Sequence, residues 1–163
     1  MKRTIITIFV LASLRMVFPM SLGLRLSSQQ PISLQQKTAK ADLIVVGKVT
    51  DVQCRWDEPK TMIYTFVSVS IEETVKGQPP NDEITIMVPG GMVGDMAVSV
   101  PGMPSFGEGE RVLLFLIRDI YSDNFVVVHG KLGKYRIGLN NEIPSMSKTL
   151  PEALSEIRQF VSN

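Results

Sequence analysis

The chain has 163 residues, of which 44% are hydrophobic and 20% are charged. This composition is typical of a globular protein with one core, and the length suggests a single domain. The net charge is +1, but residues 1–28 contain four basic residues and no acidic one, which leaves 13 basic and 16 acidic residues in the rest. A mildly acidic domain argues against nucleic-acid binding through a basic face.

The N-terminus has the pattern of an export signal. Lys2 and Arg3 precede the apolar run Thr4–Leu14, which has the length of a signal-peptide hydrophobic region. Arg15 interrupts the apolar residues, and no small-residue cleavage site follows. We interpret residues 1–28 as a cleaved signal or a retained membrane anchor, with a buried helix of a cytoplasmic protein as the alternative. Residues 29–163 are then one exported domain, extracellular or in the cell envelope, that meets the membrane only through the N-terminal segment.

The first elements of this domain are a short helix and a strand. Ser33–Lys40 can form two helical turns with Ser33 as the N-cap. Ala41–Val52 follows as a strand whose start is apolar on both faces, which predicts burial on both sides there and exposure later. Gly47 within this strand predicts a bulge or a bend.

A long strand dominates the middle of the sequence. Thr61–Gly77 alternates with a period of two, with Ile63, Val67 and Val69 on one face and Phe66 and Ser68 on the other. Sustained alternation of β-branched and aromatic residues predicts one half-buried strand, long enough to bend across two layers. The turn Trp56–Lys60 joins it to the preceding strand as an antiparallel pair.

Further strands and a closing helix follow in the second half. Strands are predicted at Glu83–Val88, Glu110–Arg118, Phe125–His129 and Lys134–Ile137, and an amphipathic helix at Pro151–Ser162. The fold class is mainly β: a small five- to six-stranded OB-like barrel with a short helix before strand 1 and a C-terminal helix. A two-sheet sandwich is the alternative.

The segment Pro89–Gly109 differs from the rest of the chain. It is rich in glycine, proline and methionine, and only Ala97–Val100 could extend. A segment of this length without regular structure is usually a functional or a disordered loop. Flexible methionine side chains suit adaptable contacts with another protein, or they can fold back over the end of the barrel. The candidate binding residues are Met92, Val93, Met96, Met103 and Phe106.

The residues that could support catalysis or metal binding are few. His129 is the only histidine, which excludes a multi-histidine metal site, and no cofactor-binding motif occurs. Its strand position predicts that it faces the core or the barrel end. Cys54 is the only cysteine, which excludes an intramolecular disulfide and favours a buried, inert thiol.

Three segments in this order resemble the netrin-like modules: A-D-L-I-V-V-G-K-V (41–49), E-E-T-V-K-G (72–77) and G-E-R-V-L-L-F-L (109–116). These modules are OB-type barrels that include the tissue inhibitors of metalloproteinases. A group of uncharacterised secreted bacterial proteins has the same signatures. The resemblance covers about residues 39–137 and implies an OB-type barrel. It implies no metalloproteinase inhibition, because the N-terminal zinc-binding cysteine of those inhibitors has no counterpart here.

The leading functional hypothesis is an exported, non-enzymatic barrel domain that binds a protein or peptide partner at the cell envelope. One alternative is a hydrolytic enzyme that uses His129 with a nearby carboxylate or serine. Another is an OB-type nucleic-acid binder with Trp56, Tyr64 and Phe66 as a stacking surface. The acidic charge and the export signal argue against nucleic acid as a partner.

Overall fold

The computed structural model describes residues 32–162, so the interpretation of residues 1–28 lies outside the described part. Within residues 32–162 there are two α-helices, α1 Leu34–Lys40 and α2 Leu150–Val161. The ten strands of the same range are β1 Leu43–Trp56, β2 Ile63–Lys76, β3 Glu83–Pro89, β4 Gly91–Val93, β5 Met96–Val98, β6 Arg111–Arg118, β7 Phe125–Val127, β8 Lys134–Ile137, β9 Glu142–Ile143 and β10 Lys148–Thr149. Neither helix has the length and apolarity that a membrane-spanning helix needs.

Five strands close into a barrel in the order β1, β2, β3, β7, β6, and a pairing of β6 with β1 completes the ring. Neighbouring strands run antiparallel except β3 and β7, which pair in parallel at Ile86 and Phe125. β8 adds to the free part of the β6 edge. The predicted mainly β, OB-like barrel with a helix before strand 1 and a C-terminal helix is confirmed, and the sandwich alternative is wrong.

β1 changes partners along its length. Leu43–Lys48 pairs with β6 on one edge and with β2 on the other, whereas Asp51–Trp56 pairs with β2. The register of β1 against β2 is irregular at three places, between Ile44 and Val45, between Val46 and Gly47, and between Val49 and Asp51. Such β-bulges bend a strand and increase its twist. A side chain at Gly47 would place its Cβ 2.6 Å from the Ser70 carbonyl oxygen. The bend predicted at Gly47 is therefore confirmed.

The buried side chains form two cores, one inside the barrel and one between the barrel and the helices. β1 and β6 contribute to both, because each is covered on both faces. Leu43 and Val45 point into the barrel, and Ile44 and Val46 point towards the helices. The inner core also contains Val67, Val69, Ile84, Ile86, Val112, Leu114 and Phe125. The outer core also contains Phe115, Tyr135, Ile143, Leu150, Leu154 and Ile157.

Polar contacts attach α1 to the barrel. Ser33 begins the helix as predicted, with a capping box that includes Gln36. At the other end, the Lys76 ammonium donates hydrogen bonds to the carbonyl oxygens of Thr38 at 2.8 Å and Ala41 at 2.6 Å. A cation at the carboxyl end of a helix pairs with carbonyl groups that lack helical partners. The end of β2 therefore fixes the position of α1.

The sequence predicts a strand that extends to His129, with this side chain facing the core or the barrel end. The strand ends earlier, and His129 is exposed and does not face the core. β7 ends at Val127, and one further bond to β6 follows, in which the Val128 N–H donates to the Phe115 carbonyl at 2.8 Å. The chain then enters a 3₁₀ turn at Gly130–Gly133, and His129 adopts a left-handed conformation with φ 54°. Strand alternation stops where the pairing stops, so Val128 is buried and His129 is exposed.

A substitution pair tests the register of β2. Val67 is fully buried in the barrel, whereas Ser68 is half-buried on the outer face. We expect Val67→Asp to cost at least about 3 kcal/mol of unfolding free energy, because it buries an unpaired carboxylate. Ser68→Asn should cost less than about 1 kcal/mol, and Ser68→Asp somewhat more because Asp51 lies directly opposite. Urea unfolding measures all three, and equal losses would contradict the register.

The β1–β2 turn is held by one carboxylate. Asp57 accepts hydrogen bonds from the Thr61 hydroxyl and backbone N–H, both at 2.6 Å, and from the Met62 N–H at 3.0 Å. The Thr61 hydroxyl is the main cause that holds the pKa of Asp57 below its usual range, and the Met62 N–H adds to it. These bonds favour the ionised form.

This turn should lose stability in acid. A lowered folded pKa means that the ionised Asp57 stabilises the fold above the usual pKa, and that this contribution is lost as the pH falls through the folded pKa, below about pH 4. We expect Asp57→Asn to lower the melting temperature at neutral pH and to change it much less at about pH 2. Glu58→Gln in the same turn is the control. A penalty for Asp57→Asn that does not depend on pH would contradict the assigned role.

Candidate functional site

The segment Pro89–Gly109 contains a β-hairpin. β4 and β5 pair antiparallel, and Gly94 and Asp95 connect them. The prediction that only Ala97–Val100 could extend is wrong, because Gly91–Val93 also forms a strand by pairing with β5. Its glycine-rich sequence has low strand propensity, so the pairing depends on tertiary contacts.

The root of the hairpin packs against the inner face of β1 and β2. The Gly90 N–H donates to the Ile63 carbonyl at 2.8 Å, and the Thr65 hydroxyl donates to the Gly90 carbonyl at 2.7 Å. Gly91 has φ +142°, and a Cβ there would lie 2.7 Å from both Cys54 Sγ and Thr65 Oγ1. Glycine is required at this position by conformation and by space. The hairpin is thus held firmly at its base.

The hairpin displays two methionines to solvent. Met92 is 66% exposed and Met96 is 58% exposed. Met92 lies opposite Ala97, and Met96 lies opposite Val93, so the two methionines occupy opposite faces of the hairpin. Val93 is half-buried. These three predicted binding residues therefore stay together, with an exposed thioether side chain on each face.

Met103 and Phe106 lie apart from the hairpin. Met103 approaches the 3₁₀ turn beside Gly130 and is 37% exposed. Phe106 is half-buried against the inner core, and the Lys134 ammonium lies 4.4 Å from the centre of its ring. The five predicted binding residues thus fall into two groups, and Phe106 also has a structural role.

A groove of about 350 Å³ is lined by residues of β1 and β2, by residues 88–91 at the hairpin base, and by residues 98–100 and 103–106. Val52, Cys54 and Thr65 form one wall, and Val98, Val100 and Phe106 belong to the other. Cys54 is half-buried rather than buried, and its Sγ lies 3.4 Å from Thr65 Oγ1. Among the described residues, none of those that line the groove is charged. We call this space the β1 groove.

A buried ion pair holds the far wall of the β1 groove in place. The Lys134 ammonium lies 2.7 Å from Glu110, with side chains only 12% and 14% exposed, and it also donates to the Ser105 carbonyl. Glu110 in turn accepts a hydrogen bond from the Gly107 N–H at 3.2 Å. β8 therefore fixes the end of the loop next to Phe106.

Two of the three residues proposed for stacking lie on the outer face of β2, whereas the third, Trp56, lies on β1 opposite the buried Ile63. Tyr64 and Phe66 are half-buried on the outer face of β2, and the Arg55 guanidinium lies 3.7 Å from the centre of the Phe66 ring. Arg55 thereby covers the ring that a base would stack on. Asp51 lies opposite Ser68, and Glu83 lies opposite Ser70, so acidic residues border this face.

His129 stands in an exposed turn, where it makes no capping hydrogen bond to the 3₁₀ segment that follows. In the described part of the chain, no three His, Cys, Asp or Glu side chains gather in an arrangement that could hold a metal ion. The buried side-chain nitrogen and oxygen atoms of residues 32–162 all have hydrogen-bond partners. The described residues thus offer no orphaned polar group aimed at a ligand.

Sequence reasoning missed two exposed residues and most of the β1 groove. Ile120 and Tyr121 in the β6–β7 turn are 83% and 90% exposed, and two large apolar residues within the polar turn Asp119–Asn124 could have indicated this. Val52 and Val98 gave no such signal, because a strand residue and a loop residue meet only through the fold.

Comparison with known proteins assigns no family. No protein-family model matches the chain, and the curated proteins give no significant match. The case for a function therefore depends on the surfaces described above.

The exposed and the packed residues of the loop should differ in their effect on stability. We expect the triple change of Met92, Val93 and Met96 to Ser to alter the unfolding free energy by less than about 1 kcal/mol, because two of the three side chains are mostly in water. Phe106→Ser should cost about 2–3 kcal/mol, because it removes apolar packing from the inner core. Thermal melts compare them. A marked loss for the triple variant would mean that the hairpin closes the barrel.

Proposed function

We propose that this protein is an exported, non-catalytic β-barrel domain that binds a protein or peptide partner at the cell envelope through the β4–β5 hairpin. The observation that carries the proposal is the exposure of Met92 and Met96, at 66% and 58%, on a hairpin whose base is fixed to the barrel. Unbranched methionine side chains adapt to an irregular partner surface. Exposed apolar side chains that the core does not use favour an interaction role.

The firm attachment of the hairpin to the barrel favours a role in partner binding over a role as a simple connection between strands. Gly90 and Gly91 fix the base through a backbone hydrogen bond and close packing, while Phe106 and Glu110 secure the end of the segment. A hairpin whose base is already fixed loses less conformational entropy when it binds a partner. Met92 and Met96 belong to neither of the two cores.

The cellular location is proposed from the sequence. Lys2 and Arg3 followed by the apolar run Thr4–Leu14 indicate export. The OB-like strand order supports the proposed relationship to netrin-like modules without adding an activity. The hydrolytic and nucleic-acid alternatives have less support, because His129 lies in an exposed turn and Arg55 already covers Phe66.

Site-specific photo-cross-linking tests the proposal. A benzophenone amino acid replaces Met92 in the full chain, and the same group replaces Ile120 as the matched control, since both positions are exposed and apolar but lie on different turns. After irradiation with cell-envelope extract, we expect one discrete adduct from position 92 and none from position 120. Excess unmodified protein should compete for that adduct, and the Met92→Ser/Met96→Ser protein should compete at least about tenfold less well. Equal adducts from both positions, or equal competition, would overturn the proposal.

A further inference from the structure

The second half of β1 has a free edge. Asp51–Trp56 pairs with β2, and within residues 32–162 no strand pairs with its other edge. The Asp57 N–H bonds to the Met62 carbonyl at 2.9 Å, and Arg55 lies opposite Tyr64. Backbone groups alternate between the two edges of a strand. Those of Gln53 and Arg55 therefore face β2, and those of Val52, Cys54 and Trp56 face away.

This edge opens onto the β1 groove. Val52 and Cys54 belong to one wall, and Val98, Val100 and Phe106 face them across about 350 Å³. No proline interrupts residues 51–56. Natural sheets usually protect a long free edge with proline, with charged side chains or with a covering element. The charged residues of this stretch, Asp51 and Arg55, are not among the residues that line the groove.

We propose that the partner contributes an extended, uncharged segment that adds to β1 as a strand along Val52, Cys54 and Trp56. This inference rests on the proposed function and names the chemistry of the partner: a peptide strand held by main-chain hydrogen bonds and by apolar side chains. Addition of a strand to a free sheet edge is a general mode of peptide recognition.

The electrostatic character of the groove selects this occupant. A lining without charged side chains gives a charged residue of the partner no counter-ion, so burying one there would cost free energy. Lys134 and Glu110, which hold the far wall through Ser105 and Gly107, already pair with each other. Alternate side chains of an added strand would face Val100 and Phe106, which favours apolar residues of medium size at every second position.

Amide hydrogen exchange of the full chain tests the edge directly. The probe is a short acetylated and amidated peptide of alternating threonine and valine, and its control replaces each valine by lysine. Without peptide, the amides of Val52 and Cys54 should exchange much faster than those of Gln53 and Arg55, which are bonded to β2. The threonine–valine peptide should slow the exchange of Val52 and Cys54, and the lysine peptide should not. Protection of these amides in the free monomer, or no effect of the peptide, would overturn the proposal.

Two variants at one position separate the backbone from the thiol. Cys54→Ser keeps the backbone N–H, whereas Cys54→Pro removes it at an edge position where proline is tolerated. We expect the proline variant to bind the probe about tenfold more weakly than the serine variant. Equal binding by both would overturn the proposal, and the exchange experiment decides alone if the proline variant fails to fold.

The outcome also distinguishes this inference from the proposed function. Met92→Ser/Met96→Ser should leave probe binding unchanged, because those side chains lie outside the β1 groove. If the threonine–valine peptide does not bind while cross-linking at position 92 gives the expected adduct, the strand-addition inference is wrong and the hairpin proposal is retained. A dimer that forms through this edge without any peptide would identify a second copy as the occupant and overturn the inference.

Discussion

The pairing of β1 with both β2 and β6 closes the barrel, and the rest of the structure depends on it. A strand with a neighbour on each edge and a core on each face has no exposed surface, so Leu43–Val46 is apolar at every position. This double burial joins the inner core to the helical layer. The pairing with β6 ends at Lys48, and exposed polar residues such as Thr50 and Gln53 return from there on.

The long loop follows from the same geometry. β6 begins at Arg111, which pairs with Lys48 of β1. The second half of β1 therefore has no β6 residue beside it, and the chain between β3 and β6 passes next to it. Phe106 fills part of the inner core, and Lys134 holds the loop through Glu110 and Ser105. These contacts hold the loop against the barrel, and none of them involves Met92 or Met96.

The two candidate surfaces share a chemical character. The hairpin offers thioether side chains, and the β1 groove offers backbone groups and neutral walls. Binding through such surfaces would depend on apolar burial and main-chain hydrogen bonds, so it would not require a large net charge on the protein. On the aromatic face, the Arg55 guanidinium is stacked on Phe66, whereas recognition of a phosphate backbone uses clustered basic residues.

The sequence by itself determined the barrel class, the long β2, the doubly buried start of β1, the Ser33 cap and the bend at Gly47. Each of these follows from patterns of alternation, capping or glycine placement among residues that are close in the sequence. Only the tertiary structure decided that Met92 and Met96 separate from Phe106, that His129 turns outward and that Val52 meets Val98 across a groove. Those features depend on where a strand loses its neighbour, and strand pairing joins residues far apart in the chain, which no local periodicity encodes.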